Sequence, residues 1–352
     1  MKRLPVIDLS GHPADIGFAH GKALREQLKE NYSIYLNMIR ANTGQNEPEI
    51  VDSARRFLPE VEEAAPELLT EMEGIAQGAG VSLETILILN CRSELAFPDQ
   101  LATQCTVVGL SGNRTVSGEG VIAQNWDWLP AVKANVAFLR IEPAAGPRAL
   151  ILAEAGQVGK IGFNEHGLGL VINLLVSKGI RFGVPTHILL RKLLSAVDVS
   201  EATQLAKHAR WASSCHILLG DPGGDIIGLE ASPHGVCEIA PQNGVVVHTN
   251  HFCDPAMAEI DLAPSLSTDT LPRLNRAKKL VTQRRAWNTN GIKQILSDHH
   301  TPPLSICRHA DNDIPEHQRM VTLVSLIINL YNCSAEVAYG QPCRTEFYQV
   351  SL

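Results

Sequence analysis

The hydrophobic rhythm of the chain changes near residue 104. Over residues 13–94 one face recurs every three or four positions: Ile16, Ala19, His20 and Ala23, then Leu58, Val61 and Ala65, then Leu68, Met72, Ile75 and Ala79. Such spacing lays one helical face along a core and predicts successive helices. Gly78 and Gly80 are expected to stop the last of these runs, and Ser82 with Glu84 to head a further helix over 83–92. From Cys105 onward, short branched or alternating runs separated by Gly and Pro predict strands at 105–110, 121–128, 136–141, 149–153, 160–164 and 168–175. Helices are expected again at 185–196, 200–209, 271–283 and 290–296, and strands at 215–219, 225–230, 236–239, 244–248, 319–330 and 336–339. Strands bracketed by helices in this order suit an α+β arrangement of two stacked sheets with helices outside. Residues 1–104 read as a helical segment and 105–352 as a sheet-bearing one, together a single compact unit.

Composition narrows the function classes. The 352 residues are 45% apolar, as in ordinary globular proteins. A net charge of −7 with scattered Lys and Arg leaves no basic stripe, so nucleic acid is not an expected partner. Nowhere do about 18 uncharged apolar residues run together, so no membrane span is expected. The start, Met1-Lys2-Arg3-Leu4-Pro5-Val6-Ile7-Asp8, lacks a secretory apolar core, and a cytoplasmic location is expected. Eight cysteines, at 91, 105, 215, 237, 253, 307, 333 and 343, contain no Cys-x-x-Cys pair. Neither a zinc ribbon nor a disulfide framework fits that spacing, and most read as small buried apolar residues.

Cys105 is the exception. It opens Cys105-Thr106-Val107-Val108-Gly109-Leu110, and across a turn a second run ends in Gln124-Asn125-Trp126-Asp127-Trp128. The plain reading is a buried strand cysteine; the alternative is a chain that cuts itself between Gln104 and Cys105. Thiol attack on the Gln104 carbonyl, an N-to-S acyl shift and hydrolysis would free an α-amine, of ordinary pKa about 7.7 to 8.0, beside the thiol. That amine can serve as base for its own side chain, so no separate histidine is needed. Asp127 is either a solvated strand-end acid or a carboxylate that orients the nucleophile between the apolar walls of Trp126 and Trp128. Arg308 is either a surface cation or a group that favours thiolate. Asn250 can donate to a developing oxyanion, and Asn173 is a second such donor or a strand-end cap. His248 and His251 begin in a strand without a matching carboxylate set, so no metal site is expected. Phe97, Trp126, Trp128 and the loop after His251 are expected to shape a substrate pocket.

Nine short segments occur in order along most of the chain: Ile16-Gly17-Phe18-Ala19-His20-Gly21, Glu73-Gly74-Ile75-Ala76, Asn90-Cys91-Arg92-Ser93-Glu94, Cys105-Thr106, Gln124-Asn125-Trp126-Asp127, Gly162-Phe163-Asn164, Gly183-Val184-Pro185, His248-Thr249-Asn250-His251 and Ser305-Ile306-Cys307-Arg308. In these the chain resembles the acyl-coenzyme A:isopenicillin N acyltransferase family of self-processing N-terminal-nucleophile hydrolases (peptidase C45 type), relatives of the choloylglycine hydrolases. The resemblance implies a four-layer αββα sandwich and a zymogen cut before Cys105, whose two fragments stay together as a heterodimer. It also implies Cys105 as nucleophile, supported by Asp127, Asn250 and Arg308, with Asn173 carried over from the choloylglycine relatives. The implied reaction is hydrolysis or transfer of an acyl group of a small N-acyl amide or thioester. No cofactor is implied, and acyl-coenzyme A would enter only as acyl donor. Gln104 departs from the penicillin-forming member, which has glycine there; a bulkier residue is expected to slow self-cleavage. Two rival readings are an uncut binding or scaffold protein that keeps the fold, and a conventional thiol hydrolase with a histidine base that acts without cleavage.

Overall fold

The computed structural model describes residues 2–96, 104–179, 182–300, 302, 304–313 and 319–352, and in it the chain opens on a strand, β1 (Val6–Gly11). Exposed Asp8 and Ser10 flank buried Leu9, so it does alternate, but with one fully buried position and no turn before it the run gives little signal in the sequence. The expected helices follow as α1 (Pro13–Ala23), α2 (Arg25–Thr43), α3 (Glu47–Arg55), α4 (Leu58–Ala64), α5 (Pro66–Ala79), α6 (Leu83–Asn90) and α7 (Arg92–Ala96). Ser82 caps α6 by accepting from the Thr85 amide at 3.3 Å. Gly78 lies inside α5 and does not end it; Gly80, at φ 67°, does, because that left-handed conformation suits glycine.

Beyond residue 104 come β2 (Gln104–Leu110), β3 (Val121–Trp128), β4 (Val136–Pro143), β5 (Ala149–Glu154), β6 (Ile161–Asn164) and β7 (Gly169–Leu175). Next are α8 (Thr186–Leu193), α9 (Val199–His208), β8 (Ser214–Gly220), β9 (Ile226–Ser232), β10 (Gly235–Ile239) and β11 (Val245–His248). The chain ends with α10 (Ala263–Leu266), α11 (Thr270–Val281), α12 (Thr289–Leu296), β12 (Val321–Asn329), β13 (Ser334–Ala338) and β14 (Tyr348–Ser351). Among the described residues the strands form an eight-stranded sheet, β1-β4-β5-β6-β7-β8-β9-β10, and a six-stranded sheet, β11-β2-β3-β12-β13-β14. β2 and β3 face β7 and β8 between the sheets; α1 and α9 pack on the larger sheet, α11 and α12 on the smaller. This is the αββα sandwich. Because β1 pairs in parallel with β4, the segment before residue 104 contributes a strand to the larger sheet and is not wholly helical.

Two features of packing matter for the site. First, the eight-stranded sheet opens on one side: β6 pairs with β7 only at Gly162↔Leu170 and Phe163↔Gly169. Beyond that point side chains of the facing half take a strand's place. Gln124 exchanges two hydrogen bonds with the Ile172 main chain, at 2.6 and 2.9 Å, and Asn250 donates to the Leu174 carbonyl at 3.0 Å. Second, α1 and α5 touch backbone to backbone through four glycines. A Cβ at Gly17, Gly21, Gly74 or Gly78 would sit 2.0, 2.1, 2.4 or 2.1 Å from the carbonyl oxygen of Glu71, Ile75, Ala14 or Phe18. The two glycine-bearing motifs of the N-terminal half are thus a helix-packing device.

Gly17→Ala or Gly78→Ala should force these helices apart. Overpacking of this kind costs about 1–3 kcal/mol or more; a lowered thermal midpoint, or accumulation as insoluble protein, is the expected outcome, and an unchanged midpoint would contradict the packing.

Candidate active site

β11 ends at His248, opposite Val107, so at Cys105 the outer edge of β2 has no strand beside it among the described residues. Side chains take over both main-chain groups of Cys105. Its amide donates to Asn250 Oδ1 at 2.7 Å, and its carbonyl accepts from Arg273 Nη1 at 2.6 Å. Arg273 also donates to Asn250 Oδ1 at 3.0 Å and to Thr106 Oγ1 at 3.2 Å, which closes a ring around the residue. An amide N–H can only donate, so the oxygen of Asn250 must face it, and the Asn250 NH2 goes to Leu174. Asn250 therefore acts as acceptor for the Cys105 nitrogen, while the amide NH2 expected to donate to an oxyanion is held by the Leu174 carbonyl. Arg273 sits in the first turns of α11 and was missed from sequence; its only signal is the Asp269/Arg273 pair four residues apart.

Strand alternation separates the thiol from the acid. Cys105 stands opposite Trp126, and both belong to the core between the sheets. Asp127, one residue on, faces the α11 and α12 side. There it accepts from the Thr322 hydroxyl at 2.6 Å, and Arg308 Nε lies 3.9 Å away. Arg308 in turn bonds Asp269, which also accepts from Arg273 Nε at 3.0 Å. Asp127, Arg308, Asp269 and Arg273 thus form one buried chain of alternating charge that ends on the Cys105 carbonyl. Burial pushes the Asp127 carboxyl up to about 7 against the pull of Arg308. Burial, and then the charge of Asp127, push the Cys105 thiol up to about 11. The expected tryptophan walls stand on the opposite face from Asp127 and enclose the cysteine instead.

On the thiol side is a cavity of about 10 Å³, room for about one water, lined by residues that include Cys105, Trp126, Trp128, Lys160, Arg92 and His187. Lys160 Nζ lies 3.8 Å from the centre of the Trp126 ring, and the Arg92 guanidinium 4.7 Å from that of Trp128. Both cations pair with buried Glu154, at 2.6 and 2.8 Å, and Tyr35 donates to the same carboxylate. Burial works against the Glu154 charge, but Arg92 and Lys160 outweigh it and hold the carboxyl at about 2. Burial lowers Lys160 to about 8. Arg92 is legible in the sequence only as a member of the motif over 90–94, and Lys160 and Glu154 are not legible at all, because a lone Lys or Glu carries no periodic signal.

Asn173 is not brought to the thiol. Its Oδ1 meets His216 Nδ1 at 3.0 Å, and the His216 ring stacks on His248 at 3.7 Å. Both nitrogens of His248 face acceptors, Glu230 at 2.7 Å and the Thr249 carbonyl at 2.7 Å, which makes it an imidazolium beside Asn250. Phe97 lies outside the described residues.

Comparison with known proteins places the chain in a family. The sequence profile of the family described as "Acyl-coenzyme A:6-aminopenicillanic acid acyl-transferase" matches residues 114–344. The Acyl-coenzyme A:6-aminopenicillanic-acid-acyltransferase 40 kDa form of Emericella nidulans is 30% identical over 347 residues, 96% of this chain and 92% of that one. Among solved structures, a variant of the conjugated bile acid hydrolase from Clostridium perfringens has a TM-score of 0.48 at 13% identity, covering 70% of this chain and 97% of that one. Penicillin V acylase from Agrobacterium tumefaciens has a TM-score of 0.48 at 13% identity, covering 70% and 86%. The profile match and the near full-length identity settle the question: the chain belongs to the acyl-coenzyme A:6-aminopenicillanic acid acyl-transferase family.

Proposed function

We propose that the protein is the precursor of a cysteine N-terminal-nucleophile enzyme that cuts itself before Cys105 and then hydrolyses or transfers the acyl group of a small N-acyl amide or acyl thioester. The observation that carries this reading is the clamp on Cys105, whose amide and carbonyl are both held by side chains, Asn250 and Arg273. An ordinary strand cysteine has these two groups paired by a neighbouring strand. In processing, Sγ attacks the Gln104 carbonyl carbon, the bond to the Cys105 nitrogen breaks, and that nitrogen keeps the proton the thiol gave up. Water then hydrolyses the thioester to a Gln104 carboxylate and a free thiol.

In the cut enzyme the new amine takes the thiol proton, and Asn250 Oδ1, already its acceptor, fixes how the amine points. The thiolate attacks the substrate carbonyl, the leaving amine or thiol departs with the proton, and the acyl group passes from sulfur to water or to an amine. Arg273 and Arg308 hold the Cys105 backbone and Asp127 in place, while Trp126, Lys160, Arg92 and His187 wall the side on which an acyl group would sit. His187 Nδ1 is engaged by the Gly159 carbonyl at 3.0 Å, and its buried Nε2 is left as an acceptor facing no donor among the described residues. A substrate N–H is a suitable partner. Acyl-coenzyme A is one candidate donor, as the name of the Emericella nidulans relative suggests.

Mass spectrometry of the purified protein should find two associated fragments divided at Gln104/Cys105, and Cys105→Ala should remain one chain without acyl transfer or hydrolysis. Wild type that stays intact and keeps its activity after alkylation of Cys105 would sink the proposal. Asn250→Ala should slow the cut on the order of 100-fold, since it frees the nitrogen that must depart from its fixed position; cutting at the wild-type rate would remove Asn250 from the mechanism.

The two steps should also differ in pH dependence. The uncut thiol at about 11 is protonated throughout neutral pH, so its thiolate fraction, and with it the cutting rate, rises about tenfold per pH unit between about pH 6 and 9. Turnover by the mature enzyme needs a neutral α-amine and should level off above about pH 8. Time courses of precursor loss and of substrate turnover across that range test this, and identical profiles would refute the amine's role.

A further inference from the structure

Away from Cys105, on the far side of Arg308, four side chains converge that the proposed chemistry does not use. Cys307 Sγ and Cys343 Sγ are 3.6 Å apart. His309 Nε2 lies 3.7 Å from Cys307 Sγ, 3.3 Å from Cys343 Sγ and 3.1 Å from His299 Nε2. All four donor atoms fall within 4.8 Å of one another. We infer that His299, Cys307, His309 and Cys343 form a structural Zn²⁺ site.

The distances carry the argument. With Zn–S near 2.3 Å and Zn–N near 2.0–2.1 Å, a tetrahedron has edges of about 3.8 Å between sulfurs, about 3.3 Å between nitrogens and about 3.5 Å between sulfur and nitrogen. The four measured edges lie close to these values. The sulfurs are much farther apart than the about 2.05 Å of a disulfide. Nor does core packing explain the group, because His299 and Cys343 are exposed. Binding would release two thiol protons to solvent, and Zn²⁺ with two thiolates and two neutral imidazoles is electrically neutral.

The frame is built without the metal. The Cys307 amide donates to the Asp298 carbonyl at 3.0 Å, which ties the two ends of the loop that carries His299 and Cys307. The Asp298 carboxylate is in turn held by Arg276 at 2.6 Å. No metal site is legible in the sequence, because the cysteines form no Cys-x-x-Cys pair and these ligands come from three separate places. Cys307 and His309 bracket Arg308, so a metal between them would fix the backbone from which that arginine reaches Asp127 and Asp269.

The test uses full-length, tag-free protein expressed with zinc in the medium. Elemental analysis should find one zinc per chain, and the content should fall at least tenfold in Cys343→Ser and in His299→Ala, both exposed positions where folding should persist. Cobalt added to chelator-stripped wild type should give the intense visible bands of four-coordinate Co²⁺ with a thiolate charge-transfer band, and Cys343→Ser should lack the latter in large part. Zinc-free wild type that takes up no cobalt, variants with undiminished zinc, or a Cys307–Cys343 disulfide in the protein as isolated would each overturn the assignment. These readouts do not involve acyl chemistry, so they stand or fall independently of the proposed function.

Discussion

The constraint on which the site rests is the burial of four charges beside one strand end. Asp127, Arg308, Asp269 and Arg273 are all less than 5% exposed, and removing each from water costs several kcal/mol before pairing offsets it. Alternation of sign makes the cluster tolerable. Asp269 sits between two guanidiniums and is held below the usual carboxylate range, whereas burial, helped by the charge of Asp269, outweighs the pull of Arg308 and Arg273 on Asp127 and leaves its carboxyl at about 7. A cluster of this kind is poor at stabilising a fold compared with apolar packing; what it does well is hold groups in one geometry. Here the last member, Arg273, holds the Cys105 carbonyl.

A second charged cluster occupies the opposite face of the same strands. Glu154, Arg92 and Lys160 lie behind Trp126 and Trp128, with Tyr35 bridging: it donates to Glu154 and accepts from the Trp128 indole at 2.8 Å. The thiol therefore sits between two fields. Acid and guanidinium lie behind its backbone, and cations stacked on indoles lie in front of its sulfur. The sheet makes this separation possible, because neighbours 126, 127 and 128 must point alternately to its two faces. The opening between β6 and β7 supplies the remaining condition, a place where side chains of the smaller sheet can reach the main chain of the larger one.

Much of the fold was legible because it depends on local pattern. Helical spacing over 13–94 and strand runs from Cys105 onward reappear with ends shifted by one to a few residues, since caps such as Ser82 and Gly80 act on adjacent residues. β1 and β14 escaped notice. Both exist because a partner strand, β4 or β13, takes their hydrogen bonds, a cause that lies outside their own sequence.

Cys105, Asp127, Asn250 and Arg308 could be singled out in the chain as written, because a thiol at a helix-to-strand junction, an acid on the paired strand and short motifs in a fixed order are properties of the sequence alone. Arg273, Lys160, Glu154 and the Cys307/Cys343 group could not. Each has an ordinary spacing and acquires its meaning only when the fold brings separate segments within reach, 168 residues apart for Arg273 and Cys105 and 36 for Cys307 and Cys343. The chemistry available is thus written in residue types, whereas desolvation, partner and direction are set by packing, because the free energy of a charge or a thiol depends on what surrounds it and not on its place in the chain.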